Sequence, residues 1–208
     1  MLNKIFSILC MAIGILFFAN SQACAAEIVI VLDVPTGRFS EPESVYRMVE
    51  KSMEDVLGEY KSYEIIPPSE TENYVRLYRE EHDLIFSTGA EEDKVTERYF
   101  KKADIDNICK HFRGKHLIYI RLTNTKPRLA LGFGLLYASQ KTNVVMDYRI
   151  WSNRKKDFTY MKRLTAKGTS TSILDYSPST AKSLRDGLKK ALQEITDDEI
   201  KIRMALAE

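Results

Sequence analysis

The segment EIVIVLDV, residues 27–34, decides how the chain is read. Residues 28–32 are aliphatic without interruption, where a strand with one wet face would alternate. An unbroken run of this kind marks a strand covered on both faces, the central strand of an α/β sheet. It stops at Asp33-Val34-Pro35-Thr36-Gly37, a turn signal. Beyond the turn, Ser40 and Glu43 form an S-x-x-E capping box, in which each side chain satisfies a backbone N–H orphaned at a helix start. Val45, Val49, Met53, Val56 and Leu57 then recur at helical spacing, and Gly58 ends the helix. A second strand over residues 63–66 closes at Pro67-Pro68. Ser69 with Glu72 supplies another capping box, for a helix running to about His82. The first half is therefore β-α-β-α with short connections.

Residues 83–102, DLIFSTGAEEDKVTERYFKK, begin with a brief apolar piece and a turn at Thr88-Gly89 and then become strongly charged. The charged part is predicted helical and solvated, and no chemistry is assigned to it. A short helix over 104–112 follows, ended near Arg113-Gly114. From Lys115 the period changes to two. KHLIYIRLT (115–123) sets Leu117, Tyr119 and Arg121 on one face and Ile118, Ile120 and Leu122 on the other. RLALGFGLLYA (128–138) reads as a buried strand, with Gly132 and Gly134 marking a bulge or a close backbone approach. TNVVMDYRIW (142–151) and DFTYMKRLTAKG (157–168) alternate around a polar hairpin loop at 152–156. A last helix is capped by Ser177, with Pro178 at its first position, where a missing N–H costs nothing. Ala181, Leu184, Leu188, Ala191, Leu192 and Ile195 make its apolar face, and residues 196–208 extend that helix or fray. The expected class is α/β (α+β): a mixed sheet in two or three layers, β-α-β-α followed by an antiparallel meander and a C-terminal helix.

Ahead of the first strand, residues 1–26 have the layout of a secretory signal peptide. Lys4 precedes an apolar run over residues 5–19, and small residues cluster at Ala23, Cys24, Ala25 and Ala26. The run is shorter than the roughly 20 residues that cross a bilayer as a helix. Ala23-Cys24-Ala25 fits cleavage before Ala26, and Cys24-Ala25-Ala26 fits cleavage before Glu27. Lipidation of Cys24 is the competing reading, although Ser21 stands where lipoprotein signals carry an apolar residue. The organisation is a signal peptide over 1–26 and a single globular α/β domain over 27–208. The expected address is the periplasm or outer membrane of a bacterium with a two-membrane envelope, or otherwise the medium. A formal charge of +2 on the full chain lacks the basic footprint of a nucleic-acid binder. Of three cysteines only Cys109 belongs to the domain, so no internal disulfide is available, and it reads as a buried free thiol.

No catalytic residue is assigned. Cys109-x-His111-x4-His116 offers three zinc-type ligands, but the segment crosses from a helix end through Gly114 into a strand. There is no G-x-S-x-G elbow, Walker sequence or dinucleotide fingerprint, and no cofactor is implied. Asp33 closes the first strand, and open α/β sheets bind ligands at the carboxyl ends of strands. With Gly37 and Arg38 ahead of a helix it outlines an anion site, against the plainer reading of a βα turn. The apolar 128–138 strand and its partner also admit a membrane-spanning hairpin, which closes no barrel alone.

The element order resembles the small periplasmic α/β domains related to the TolB amino-terminal domain, the curli-secretion lipoproteins and the outer-membrane lipoprotein activators of peptidoglycan synthases. IVIVLDV, YEIIPP, GKHLIYIRLT, the hairpin VVMDYRIWSNRKKDFTYMKRLTAKG and the helix SPSTAKSLRDGLKKALQEI carry the likeness. The resemblance implies a non-catalytic assembly or binding module and carries over no catalytic residue. The leading expectation is a non-enzymatic envelope protein acting through protein–protein contacts. Its partner is an envelope protein or a second copy, not nucleic acid, with membrane contact only through a lipid on Cys24. The alternatives are a secreted small-ligand-binding protein or hydrolase with a cleft near Asp33, and an oligomeric secretion component.

Overall fold

The computed structural model describes residues 28–34, 42–58, 63–87, 95–132, 137–173 and 178–208. The signal peptide, Cys24, Gly37, Arg38, the Ser40 cap and Gly134 lie outside these residues. β1 (Ile28–Asp33) is buried at all six positions, as its unbroken aliphatic run demands. It pairs in parallel with β2 (Ile65–Ile66) on one side and with β5 (His116–Asn124) on the other. β5 pairs antiparallel with β7 (Tyr137–Ser152), which pairs antiparallel with β8 (Asp157–Ile173). The six-stranded sheet is therefore mixed, and the α/β (α+β) expectation holds.

The meander differs in one respect. β6 (Arg128–Gly132) lies on the β5 side of β7, beside residues 137–141, while β5 runs beside 144–152. The two form one interrupted row along β7, broken at Thr125-Lys126-Pro127, where Pro127 has no N–H to give a ladder. The register shift in this region falls between Ile150 and Trp151 on β7, not at Gly132.

Helices cover both faces of the parallel half, so this part has three layers. α1 (Pro42–Leu57), α4 (Thr180–Thr196) and α5 (Glu199–Ala207) pack on Ile28, Ile30 and Leu32 of β1 and on Ile118, Ile120 and Leu122 of β5. α2 (Pro68–Glu81) and α3 (Lys102–His111) cover the opposite face through Val75, Tyr78, Ile105 and Ile108. The period-two reading of residues 117–122 is thus right, and both of its faces are dry. Fully burying such a side chain contributes about 1.5–3 kcal/mol each.

Four local readings are corrected. Part of the charged stretch expected to be helical is a strand: β4 (Val95–Glu97) pairs antiparallel with β3 (Ile85–Ser87) in a separate two-stranded sheet. Ser69 and Glu72 make no capping box. Pro67 and Pro68 lack N–H groups that would need caps, and the Ser69 N–H donates to Glu50 Oε1 of α1 at 3.2 Å. The last long helix is capped by Ser179, whose hydroxyl accepts from the Lys182 N–H, and not by Ser177. The Ser179 N–H donates to Ser170 Oγ of β8, which anchors the cap there and leaves Pro178 outside the helix. Residues after 196 neither extend α4 nor fray: the chain breaks at Asp197-Asp198, and α5 buries Ile202, Ala205 and Leu206.

Two glycine sites are fixed by close approach. After α3, Arg113 takes the left-handed conformation (φ 55°), and the Gly114 N–H closes the turn on the Cys109 carbonyl at 2.9 Å. Gly114 itself is required because a Cβ there would stand 2.6 Å from Val29 Cγ2. On the other face, Gly168 of β8 and Gly187 of α4 touch backbone to backbone. A Cβ on Gly168 would collide with the Ser183 carbonyl oxygen.

Candidate functional site

β1 and β5 are neighbours in the sheet, but β1 leads away toward β2 and β5 toward β7. Their carboxyl ends therefore form a switch point, the position where open α/β sheets hold ligands. Asp33 is the last residue of β1 and is paired in register with Arg121 of β5. The row continues through Asp147 of β7 to Arg163 of β8, so charges alternate in sign across four strands. Asp33, Arg79, Arg121 and Asp147 are all at most 5% exposed.

Asp33 Oδ2 is the hub. It accepts from Arg79 Nη2 at 2.6 Å, from Arg121 Nη1 at 3.1 Å and from the Tyr119 hydroxyl. Both guanidinium groups also donate to the carbonyl of Arg98, at 2.9 and 3.1 Å. Arg79 lies 4.1 Å from the centre of the Phe100 ring and Arg121 lies 3.9 Å from that of Tyr99. The Tyr99 hydroxyl donates to Asp147 Oδ2 at 3.2 Å. The segment following β4 thus lays Arg98, Tyr99 and Phe100 over the cluster, and the Arg98 N–H is held by the Leu84 carbonyl at 2.9 Å. This is what residues 98–100 do in the fold.

The electrostatics close on themselves. Two buried arginines face two buried carboxylates, the arrangement that makes charge burial tolerable. Burial and the Asp33 charge push the Tyr119 hydroxyl well above its usual pKa, so it stays a donor. Burial works against the Arg121 charge, but Asp33 outweighs it and the pKa is raised. Beside the cluster a cleft of about 160 Å³ is lined by Asp33, Tyr46, Glu72, Arg76 and Arg79 among others. That is below the roughly 300–1,000 Å³ of ordinary small-molecule sites. Burial and Glu72, to which it hydrogen-bonds, push the Tyr46 hydroxyl up as well. The cluster is a clamp that joins β1, β5, α2 and residues 98–100.

The zinc-type triplet is dispersed. Cys109 is fully buried, with Sγ 3.3 Å from the Gly114 carbonyl, and burial pushes its thiol up to about 12. His111 lies exposed on α3, stacked on Tyr74 at 3.7 Å, and His116 is buried at the start of β5. Among the described residues no group of three or more His, Cys, Asp or Glu could hold a metal ion. No helix there is long and apolar enough to cross a membrane.

The expectation of a buried 128–138 strand is overturned for β6. Leu129 is 58% exposed and Leu131 53%. Their register partners on β7 are Gln140 and Ala138, and Gln140 bonds Thr180, the first residue of α4, at 2.6 Å. The helix layer stops at that level and β6 lies beyond it. On the opposite face of the β7–β8 hairpin Lys141, Met161, Arg163 and Lys167 are also exposed. Arg79, Tyr99 and Asp147 escaped the sequence reading. The available signal was Arg121 and Asp147, charged residues inside strands whose neighbours are apolar on both sides.

The fold therefore defines a three-layer α/β domain with an ion clamp at its switch point and a sheet extension beyond its helices. No protein-family model matches the chain, and no curated protein is similar to it. The chain is similar in fold to several solved bacterial structures. Lipoprotein GNA1162 of Neisseria meningitidis is 14% identical over 84% of this chain and 97% of its own, with a TM-score of 0.39. A homologue of the neuraminyllactose-binding hemagglutinin from Helicobacter pylori is 9% identical over 88% and 91%, with a TM-score of 0.44. A minor lipoprotein of Acinetobacter baumannii is 13% identical over 86% and 95%, at 0.32.

Proposed function

We propose that the chain is an exported protein of the bacterial cell envelope that works without catalysis, as a binding or assembly module, through contacts made by the β6–β7–β8 extension. One observation carries this reading. Where the helix layers end the sheet continues, and it offers Leu129 and Leu131 to solvent on a strand that pairs, among the described residues, only with β7. Adjacent exposed apolar side chains on an open strand are a feature of contact surfaces. The Asp33 clamp supports the non-catalytic half of the reading, since its carboxylate already receives three donors.

The test is photo-crosslinking from positions 129 and 131 in cells, with envelope fractions probed for adducts. Specific adducts that vanish in Leu129→Lys/Leu131→Lys are expected. Labelling no stronger than from exposed Lys189 on α4 would overturn the reading. A second reading, a small-ligand protein using the cleft beside Asp33, rests on that cleft alone. It requires a ligand that raises the melting temperature by mass action and loses its effect in Glu72→Gln.

A further inference from the structure

In the extension two strands, β6 and β8, each pair only with β7 among the described residues, and the chain treats their free sides differently. β8 is guarded. Lys190 of α4 donates to the outward carbonyl of Lys167 at 3.1 Å, and Asp186 accepts from the outward N–H of Thr169 at 3.0 Å. Its exposed face carries Arg163 and Lys167. Charged side chains and covered backbone are how proteins block edge pairing. Among the described residues β6 has no such guard. Its sequence from 128 to 132 is RLALG, with one charge, at the first position.

We infer that β6 pairs antiparallel with β6 of a second copy, about a two-fold axis through Ala130. The pairing rests on the reading that the extension is the contact surface, and it names the partner. In that register Leu129 faces Leu131 of the other copy, and Leu131 faces its Leu129. Four leucines then gather on the α4 side of a continuous sheet. On the opposite side Ala130 meets Ala130, and Arg128 falls opposite Gly132, so no like charges oppose one another. Such cross-strand apolar pairs stabilise antiparallel sheets, and opposed like charges would not. The same operation on β8 about Thr165 would set Arg163 against Lys167. Self-pairing is therefore favourable at β6 and opposed at β8. Five residues per copy bury less than the roughly 1,200 Å² of a standard stable interface, so the dimer is weak and concentration-dependent.

The experiment is sedimentation velocity of the purified mature chain up to millimolar concentration, together with oxidative crosslinking of Ala130→Cys. Ala130→Cys should form a disulfide dimer, because the two residues share the axis. Thr165→Cys, exposed at mid-β8, should remain monomeric. Leu129→Lys/Leu131→Lys should weaken association at least roughly tenfold with an unchanged melting temperature, as both side chains are already exposed. A monomer at millimolar concentration, or equal crosslinking from Ala130→Cys and Thr165→Cys, would overturn the proposal. A chain that stays monomeric yet gives Leu129-dependent adducts with another envelope protein overturns the second copy as partner and leaves the proposed function standing.

Discussion

Asp33 receives Arg79, Arg121 and Tyr119 in a setting that is almost dry, so its value lies in what its removal would leave behind. Asp33→Ala strands two buried guanidinium groups and should cost about 3–5 kcal/mol in urea unfolding, the range for breaking a buried pair from one side. Tyr119→Phe loses a single donor to a charged acceptor and should cost about 1.5–3 kcal/mol in the same assay. Asp198 behaves differently. It accepts from Lys162, Tyr160 and Lys201 at 2.6–2.9 Å, which holds its carboxyl well below the usual range. A pKa lowered by folding contributes stability above the unfolded value, and that contribution is lost as pH falls below about 4. Asp198→Asn should accordingly be less stable than the parent at neutral pH and lose less on acidification, as measured by unfolding free energy against pH.

At the scale of elements, the contact of α4 with β8 depends on having no side chain at Gly168. Its backbone conformation suits any residue, but a Cβ would meet the Ser183 carbonyl of the helix. Gly168→Ala should lower stability by about 1–3 kcal/mol, the usual cost of overpacking, read as a drop in melting temperature. The sequence showed a glycine closing the hairpin strand; it could not show that the helix over Thr180–Thr196 would lie against it. The same limit explains the caps. Ser69 and Ser177 each stand at a plausible helix start, yet Glu50 of α1 and Ser170 of β8 decide where the chains enter. The charged 83–102 stretch looked solvated because the hairpin that carries Tyr99 and Phe100 over two arginines exists only once β1, β5 and α2 are assembled.

For the whole molecule, the three-layer half and the extension should differ in local stability. Backbone amides of β1 and of residues 117–122 lie between two helix layers and should exchange slowest. Residues 128–132 should exchange faster by orders of magnitude, since among the described residues β6 has one partner strand and leaves Leu129 and Leu131 exposed. Hydrogen exchange read by mass spectrometry checks this, and equal protection would mean that β6 is covered in solution. The sequence alone determined that β1 is buried on both faces, that residues 117–122 alternate between two faces of a strand, and that Cys109 is a buried free thiol. These follow from side-chain polarity and period, which are local. Only the tertiary structure decided that Asp33, Arg79, Arg121 and Asp147 share one cluster. Only it decided, too, that the apolar strand 128–132 lies outside the core. Burial of that strand depends on where α4 begins, and a cluster depends on which strands lie side by side; neither is a property of any single stretch of chain.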